Sequence, residues 1–470
     1  MSAPQLVLEA ARTEDEIVSP RAWRTLAWSS LAVFMAILDG TVLFVAFPSI
    51  GRSFPAVSAA DLSWILNAYT IVYGSLLVPA GRMADRLGRR RIFLGGVALF
   101  ALASLAAGLA PSPAIIIAAR ILQAIGAAML TPSSLALLLA AFPRSKRSVA
   151  VSLWAAVGAL AAAVGPSAGS GIIQLGGWRW AFFVNLPFAL VLLVRGNSVL
   201  EESRDTNAEG VPDAVGILQL IAGMALVALA VVRGRDWGPS AALACIAVGT
   251  ALLILFVRRS SRVAFPALDV TLFEVPSFRY ANIATLVYGA TFSAMFLGSV
   301  LFLTNVWGYS TVRAGLGITP GPLVVMAVAP LAGRLAARRG HRVLLIPGGI
   351  LFALAFLVRY ISTSPTPHYV SEWLPPMIAS GVGVGLVLPS LAGAAAHSLP
   401  TNRLAVGSGV NQALRQVGGV LGVGAVVALA GRAHGAEAMP TFKLIFLMLV
   451  LGGFITAAIS AAIDTRPRSI

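Results

Sequence analysis

Leu31 to Pro48 reads LAVFMAILDGTVLFVAFP. It is apolar and long enough to be most of a membrane-spanning helix, which needs roughly 20 residues. Asp39 sits inside it. A carboxylate in hydrocarbon is costly, so it must face a protein interior or a water-filled cavity, or carry a proton. Ala32, Ala36 and Gly40 recur at four-residue spacing, which predicts that another helix approaches that face closely. No other acid falls deep within an apolar run. The role expected of Asp39 is to take up and release protons.

Composition extends this reading to the whole chain. Of 470 residues, 58% are hydrophobic and 11% charged, and mean hydropathy is +0.87. Soluble domains carry about 25% charged residues. The expected class is therefore an all-α integral membrane protein. The N-terminal stretch MSAPQLVLEAARTEDEIVSP is polar and acidic, unlike a cleavable signal. Net charge is +16. The basic residues lie mostly in short loops between apolar runs, so membrane topology explains them better than nucleic acid does. No nucleic-acid partner is expected. The single cysteine, Cys245, excludes an internal disulfide and a cysteine-based metal cluster.

Fourteen apolar runs follow one another, from about 26–48 to about 442–463. With the N-terminus inside, the inner loops hold Arg82, Arg86, Arg89, Arg90, Arg91, Arg144, Lys146, Arg147, Arg338, Arg339, Arg342 and others. The outer loops hold only Arg52, Arg179, Arg233, Arg235, Arg313 and Arg432. The positive-inside rule then places both termini in the cytoplasm and the protein in the cell membrane. Residues 81–91, GRMADRLGRRR, are echoed at 333–343, GRLAARRGHRV. Repeated halves mark transporter folds whose binding site lies between them at the bilayer midplane. The expected division is a tail at 1–25, a six-helix bundle at 26–195 and a cytoplasmic loop at 196–213. Two spacer helices at 214–257 and a linker at 258–280 follow, then a second six-helix bundle at 281–463 and a tail at 464–470.

The loop from Gly81 to Arg91 is the most specific motif. Gly81 and Gly88 permit a tight turn between helices. Asp85 can accept hydrogen bonds from Arg86, Arg89 and Arg90, or from a helix N-terminus, as a latch that forms in one conformation only. A plain basic loop would explain Arg89 to Arg91 but not the Gly and Asp spacing. Here the sequence resembles the major facilitator superfamily, whose loop 2–3 motif G-x-L-a-D-r-x-G-r-r is nearly intact. In the second copy Ala337 stands where the acid would be, so that latch should be weaker.

Four further stretches resemble one branch, the fourteen-span drug:proton antiporters. Leu38-Asp39-Gly40-Thr41 with Ala46 and Pro48 is similar to the branch's helix 1 motif, with Phe44 and Phe47 replacing its Asn and Leu. Arg120-Ile121-Leu122-Gln123-Ala124 is similar to R-x-x-Q-G in helix 4. Gly165-Pro166-Ser167-Ala168-Gly169-Ser170 is similar to the helix 5 antiporter motif G-P-x-x-G-G. Trp178 to Pro187, WRWAFFVNLP, is similar to the segment that follows helix 5 in the branch. The resemblance implies two six-helix bundles plus two extra helices. It implies efflux of small lipophilic drugs or antibiotics by alternating access, with the proton gradient as energy source and no cofactor. The expected partners are the bilayer, a small lipophilic molecule and protons, and the protein is expected to act as a monomer.

The residues support a mechanism of their own. Arg120 and Asp39 lie at compatible depths, roughly 10 and 13 Å from the outer ends of their helices. Either a direct pair or a water-bridged relay fits. A guanidinium favours the charged carboxylate and burial favours the neutral acid, so movement that alters either alters proton affinity. The competing reading is a permanent structural ion pair. Gly158, Gly165, Pro166 and Gly169 should bend and thin the fifth helix for close packing. Asn411 and Arg415 share a helical face near mid-membrane, where a structural role and contact with the substrate both fit. Trp64, Asn67, Tyr69 and Gln123 are candidate cavity residues, with helix packing as the plainer alternative. Trp237, Trp307 and Trp373 read as interface anchors. No phosphate-cradling motif, nucleophile set or mid-span histidine is evident, so neither ATP-driven transport nor a membrane enzyme is expected. A proton symporter or facilitator of a metabolite, and a non-transporting sensor or scaffold, remain as rivals.

Overall fold

The structure is a computed structural model that describes residues 18–143, 146–204, 210, 212–397, 399, 403–430 and 435–465. Most of both expected tails, and Arg144, Arg432 and His434, lie outside the described residues. Fourteen helices are long and apolar enough to cross a membrane. They are α1 Pro20–Ser53, α2 Ala59–Leu87, α3 Arg89–Leu109, α4 Pro113–Ala141, α5 Val149–Gly176, α6 Trp180–Val199, α7 Ala214–Gly234, α8 Pro239–Ser260, α9 Pro276–Asn305, α10 Thr311–Arg339, α11 Arg342–Ser362, α12 Tyr369–His397, α13 Val406–Ala430 and α14 Ala436–Ser460. Each expected run coincides with one of them. Several extend beyond the apolar run because their polar end turns are capped. Ser19, for example, accepts the Ala22 N–H at 3.1 Å, and Pro20 fits the first turn of α1.

The helices form two six-helix bundles, α1–α6 and α9–α14, plus the hairpin α7–α8. The internal repeat is visible in packing. Between α3 and α4, Cβ atoms added at Gly96 and Gly126 would meet each other's carbonyl oxygens at 2.8 and 2.7 Å. Between α11 and α12, Gly348 and Gly383 repeat that contact at 3.3 and 2.9 Å. Only glycine lets two backbones come this close.

An even number of spans brings both chain ends to one side, called here the basic end. At the opposite end the two bundles touch. Arg52 donates to Thr311 Oγ1 at 3.2 Å, and a Cβ at Gly315 of α10 would meet the Pro166 carbonyl and Ser170 Cβ of α5 at 2.6 Å each. Towards the basic end, α5 buries Ala150 in a cluster with α1 and α4, and packs Gly158 against Ile37 of α1. There α10 buries Ala332 and Ala336 against Leu344 and Leu386. Each helix is thus packed on its own bundle there.

The hairpin is more than a spacer. Met224 and Ala228 of α7 cluster with Ile71 of α2 and Val420 of α13, so α7 lies across the seam between the bundles. Arg233 pairs with Asp61 at one end of it, and Arg259 pairs with Asp213 at 2.7 Å at the other. That hydrogen bond holds the Asp213 carboxyl below its usual range. Helix α8 meets α7 through Gly223 and Gly249 and leaves most of its apolar surface exposed.

Two expectations fail at the helix surfaces. Nothing lies within 4 Å of a Cβ at Gly40, so no helix approaches closely at that end of the small-residue face, whereas Ala32 at its other end is buried in a cluster with α2, α3 and α4. Close approach comes instead from α5, whose Gly158, Gly165 and Gly169 pack on Ile37, Thr41 and Val42. Trp307 and Trp373 are buried, not interface anchors. Trp373 stacks on Phe302 and Trp307 meets it edge-on, and their polar tips find carbonyl partners in Gly317 and Ser364.

Candidate functional site

Asp39 is 1% exposed and lies in the interior of the first bundle. Its Oδ2 accepts from Arg120 Nη1 at 2.6 Å. Its Oδ1 accepts from Gln123 Nε2 at 2.9 Å and from Asn185 Nδ2 at 2.8 Å. Ser104 Oγ takes both amides as well, at 2.7 and 3.3 Å, and returns its proton to the Phe100 carbonyl. Four helices, α1, α3, α4 and α6, therefore converge on one carboxylate. Each named partner of that carboxylate is a donor, which suits its ionised form.

Arg120 is held just as fully. It donates to the Ile65 carbonyl at 3.1 Å and to Gln123 Oε1 at 2.6 Å, and lies 3.8 Å above the Tyr69 ring. Arg120 and Gln123 sit three residues apart on α4 and so share a face. Of the two arrangements the sequence allowed, the structure has the direct pair. Tyr69 and Gln123, expected in a substrate cavity, belong to the shell of this pair. Trp64 also lies away from the centre, packed on the α7 cluster. Asn67 is buried, with its amide near Ser63 Oγ and its Oδ1 unpartnered.

Asn185 and Ser104 escaped sequence reasoning as members of the site. The signal for Asn185 was present in the WRWAFFVNLP stretch, whose Asn opens the main helix of α6. Ser104 carried none, because a serine in an apolar run usually bonds its own helix.

At the basic end Asp85 accepts from Arg89 Nε at 2.8 Å across one turn. Gly88 has φ +115, the conformation glycine permits at the break between α2 and α3. Glu202, not singled out by the sequence, completes the loop. Its carboxylate accepts the N–H groups of Arg90 and Arg91 at 3.0 and 3.3 Å, where the α3 dipole favours an anion. Arg89 N–H also donates to the Ser203 carbonyl at 3.0 Å. Gly81 packs on Pro132, Arg86 is exposed, and Arg82 donates to the Pro266 carbonyl in the linker between bundles. In the second bundle His341 sits between α10 and α11, and burial together with His397 pushes its pKa down to about 4.

In the second bundle Asn411 donates to Asn282 Oδ1 at 3.1 Å and Thr285 Oγ1 at 2.8 Å, tying α13 to α9. Arg415 donates to Gln412 Oε1 at 3.1 Å. Arg359 is fully buried, stacked 3.8 Å from Trp373. The sequence reading passed over it because it lies in the last turn of an apolar run. Among the described residues no group of three or more His, Cys, Asp or Glu could hold a metal.

Two bundles with matching glycine contacts, a charged turn between α2 and α3, and one enclosed acid–arginine pair define a known architecture. The profile of the Major Facilitator Superfamily matches residues 29–423. The chain belongs to the Major Facilitator Superfamily. It is 36% identical to a multidrug resistance protein of Mycobacterium tuberculosis over 85% of this chain and 74% of that one. It is 34% identical to a puromycin resistance protein of Streptomyces alboniger, over 86% and 81%. It is 33% identical to a cephamycin export protein of Amycolatopsis lactamdurans, over 90% and 88%. A solved proton-dependent oligopeptide transporter superposes with a TM-score of 0.64 at 16% identity, covering 94% of this chain and 98% of that one. That likeness is one of fold.

Proposed function

We propose that this superfamily transporter exports small lipophilic drugs or antibiotics in exchange for protons. The observation that carries the coupling is the closed Asp39–Arg120 pair with its Gln123 and Asn185 donors. A carboxylate so enclosed exchanges a proton only when the helices around it move. Alternating access supplies that movement, and each cycle opens the pair once. The glycines of α5 set its fit on Ile37, Thr41 and Val42 of α1, so tilting of α5 is carried to the helix that bears Asp39. By the positive-inside rule the basic end is the cytoplasmic end. Asp85, Arg89 and Glu202 fix the α2–α3 turn at that end. The export reading follows the named activities of the resistance and export proteins it resembles.

Everted membrane vesicles with an acidified lumen test it. Adding puromycin or another exported drug should raise luminal pH as protons leave in exchange. A symporter would lower luminal pH further, and a sensor would leave it unchanged. Either result overturns the proposal.

A further inference from the structure

The charges inside the membrane are unbalanced. Between Pro276 and Ser460 the acids are Glu372 and Glu437, both in terminal turns of helices. Glu372 is already bonded to Ser364. The deep acid of the whole chain is Asp39, and Arg120 neutralises it. Against that one carboxylate stand three intramembrane guanidiniums, Arg120, Arg359 and Arg415. Arg359 is sealed behind Trp373 and Phe356. Arg415 differs: it is partly exposed, lies near the middle of α13, and makes no ion pair among the described residues. Its hydrogen-bond partner is the neutral Gln412. Across the seam a Cβ at Gly74 of α2 would meet Gln416 and the Ala413 carbonyl of α13 at 2.9 and 3.4 Å, and the hydroxyl of the adjacent Tyr73 reaches Thr131 Oγ1 of α4 at 3.3 Å. The guanidinium thus stands where the second bundle faces the first, beside a small polar surface contributed by both.

A cation held at mid-membrane without a carboxylate is expensive and marks a ligand path. We propose that Arg415 is the charge-selecting residue of the substrate site, and that the site takes molecules bearing a carboxylate or other anionic group in preference to lipophilic cations. The inference rests on the export reading and names its substrate class. Asp39 cannot serve a cationic drug in this state, because three donors and full burial close it off. Arg415 attracts an anion and repels a cation, and specificity arises from both. Gln412, Tyr73 and Thr131 offer the remaining hydrogen bonds to a carboxylate or to polar groups next to it.

Three probes that share one aromatic group separate charge from shape: dansylglycine, its amide, and the cationic N-dansylethylenediamine. Binding to the purified full-length protein is read by dansyl fluorescence, and transport by uptake into proteoliposomes carrying an acid gradient. Dansylglycine should bind at least tenfold more tightly than the cation, with the amide between them. Arg415→Gln should bring the carboxylate-to-amide ratio to about one, and Arg415→Lys should keep most of the preference. A cation that binds as well as the carboxylate, or an unchanged ratio in Arg415→Gln, overturns the inference. If the amide is transported without any carboxylate preference, only the charge selection fails and export stands. If no probe moves and none binds, both readings fall.

Discussion

Replacing Asp39 by Asn tests the centre of the mechanism, and the structure gives the size of the effect. The carbonyl of the introduced amide can still accept from Gln123 and Asn185. Its NH2 group would then face Arg120 Nη1, donor against donor, across the present 2.6 Å contact. Arg120 would keep its charge with only Ile65, Gln123 and the Tyr69 ring around it. Removing one partner of a buried pair costs about 3–5 kcal/mol, most of it from the charge left behind. The double variant Asp39→Asn, Arg120→Gln removes both charges and should recover all but about 1 kcal/mol, since neutral replacements of buried pairs are often tolerated. Heat-induced unfolding of purified protein measures the first effect. Drug accumulation in proteoliposomes under an imposed acid gradient measures the second. Both variants should fail to build a drug gradient, although the double variant is stable. If Asp39→Asn still builds one, or the double variant is both stable and proton-driven, the pair is structural and the coupling argument is refuted.

Other consequences are local. Gly165→Ala drives a methyl group into Thr41 Oγ1 and should destabilise the α1–α5 contact by about 1–3 kcal/mol. Adding Thr41→Ala should restore most of it, as read by thermal unfolding together with transport. Gly88→Ala meets two obstacles, φ +115 and the Glu202 carboxylate at 2.8 Å. It should cost about 1–3 kcal/mol from backbone strain, and Glu202→Ala should relieve the clash without relieving the strain, which a double-variant cycle measures. His341 titrates near 4 when folded and near 6.5 when unfolded, so the unfolded chain binds the extra proton between those values. Its contribution is complete above about pH 6.5 and is lost as pH falls through 4. Thermal unfolding of wild type should therefore drop more steeply over that window than that of His341→Gln.

The fold was legible because its signals are one-dimensional. Apolar length marks each span, and the repeated GR…R.G. turns mark the two halves. The Asp39–Arg120 pair was legible for a related reason: each charge interrupts an apolar run, and hydrocarbon makes such a charge pair or face a cavity. The neutral residues around it were not. Ser104 and Asn185 cost little to place in a span, so composition does not flag them, and only the meeting of four helices reveals their role. Helix faces were misread in the same way. Gly40 has the spacing of a packing face, yet it faces open space, because spacing shows which residues share a face and not what lies opposite. Trp307 and Trp373 lie near helix ends, as interface anchors do. Their burial comes from neighbouring helices that sequence position does not show.

The hairpin α7–α8 makes the two seams between bundles unequal. On one side α2 and α13 remain in contact well into the basic half, where a Cβ at Gly74 would meet Gln416 at 2.9 Å and one at Gly409 would meet Val78 at 3.0 Å. Helix α7 covers that contact and buries Met224 and Ala228 against both partners. On the other side α5 and α10 meet towards the opposite end, with Gly315 against Pro166 and Ser170. Nearer the basic end each belongs to its own bundle. A pair of rigid bundles joined along one seam and at the far end separates most where neither constraint acts. In this structure that place is between the basic halves of α5 and α10, the helix pair whose first member also carries the glycines that fit against Thr41 and Val42, beside Asp39. Opening of that seam would thus be felt at the proposed proton site through one helix, and the hairpin would keep the motion on that side.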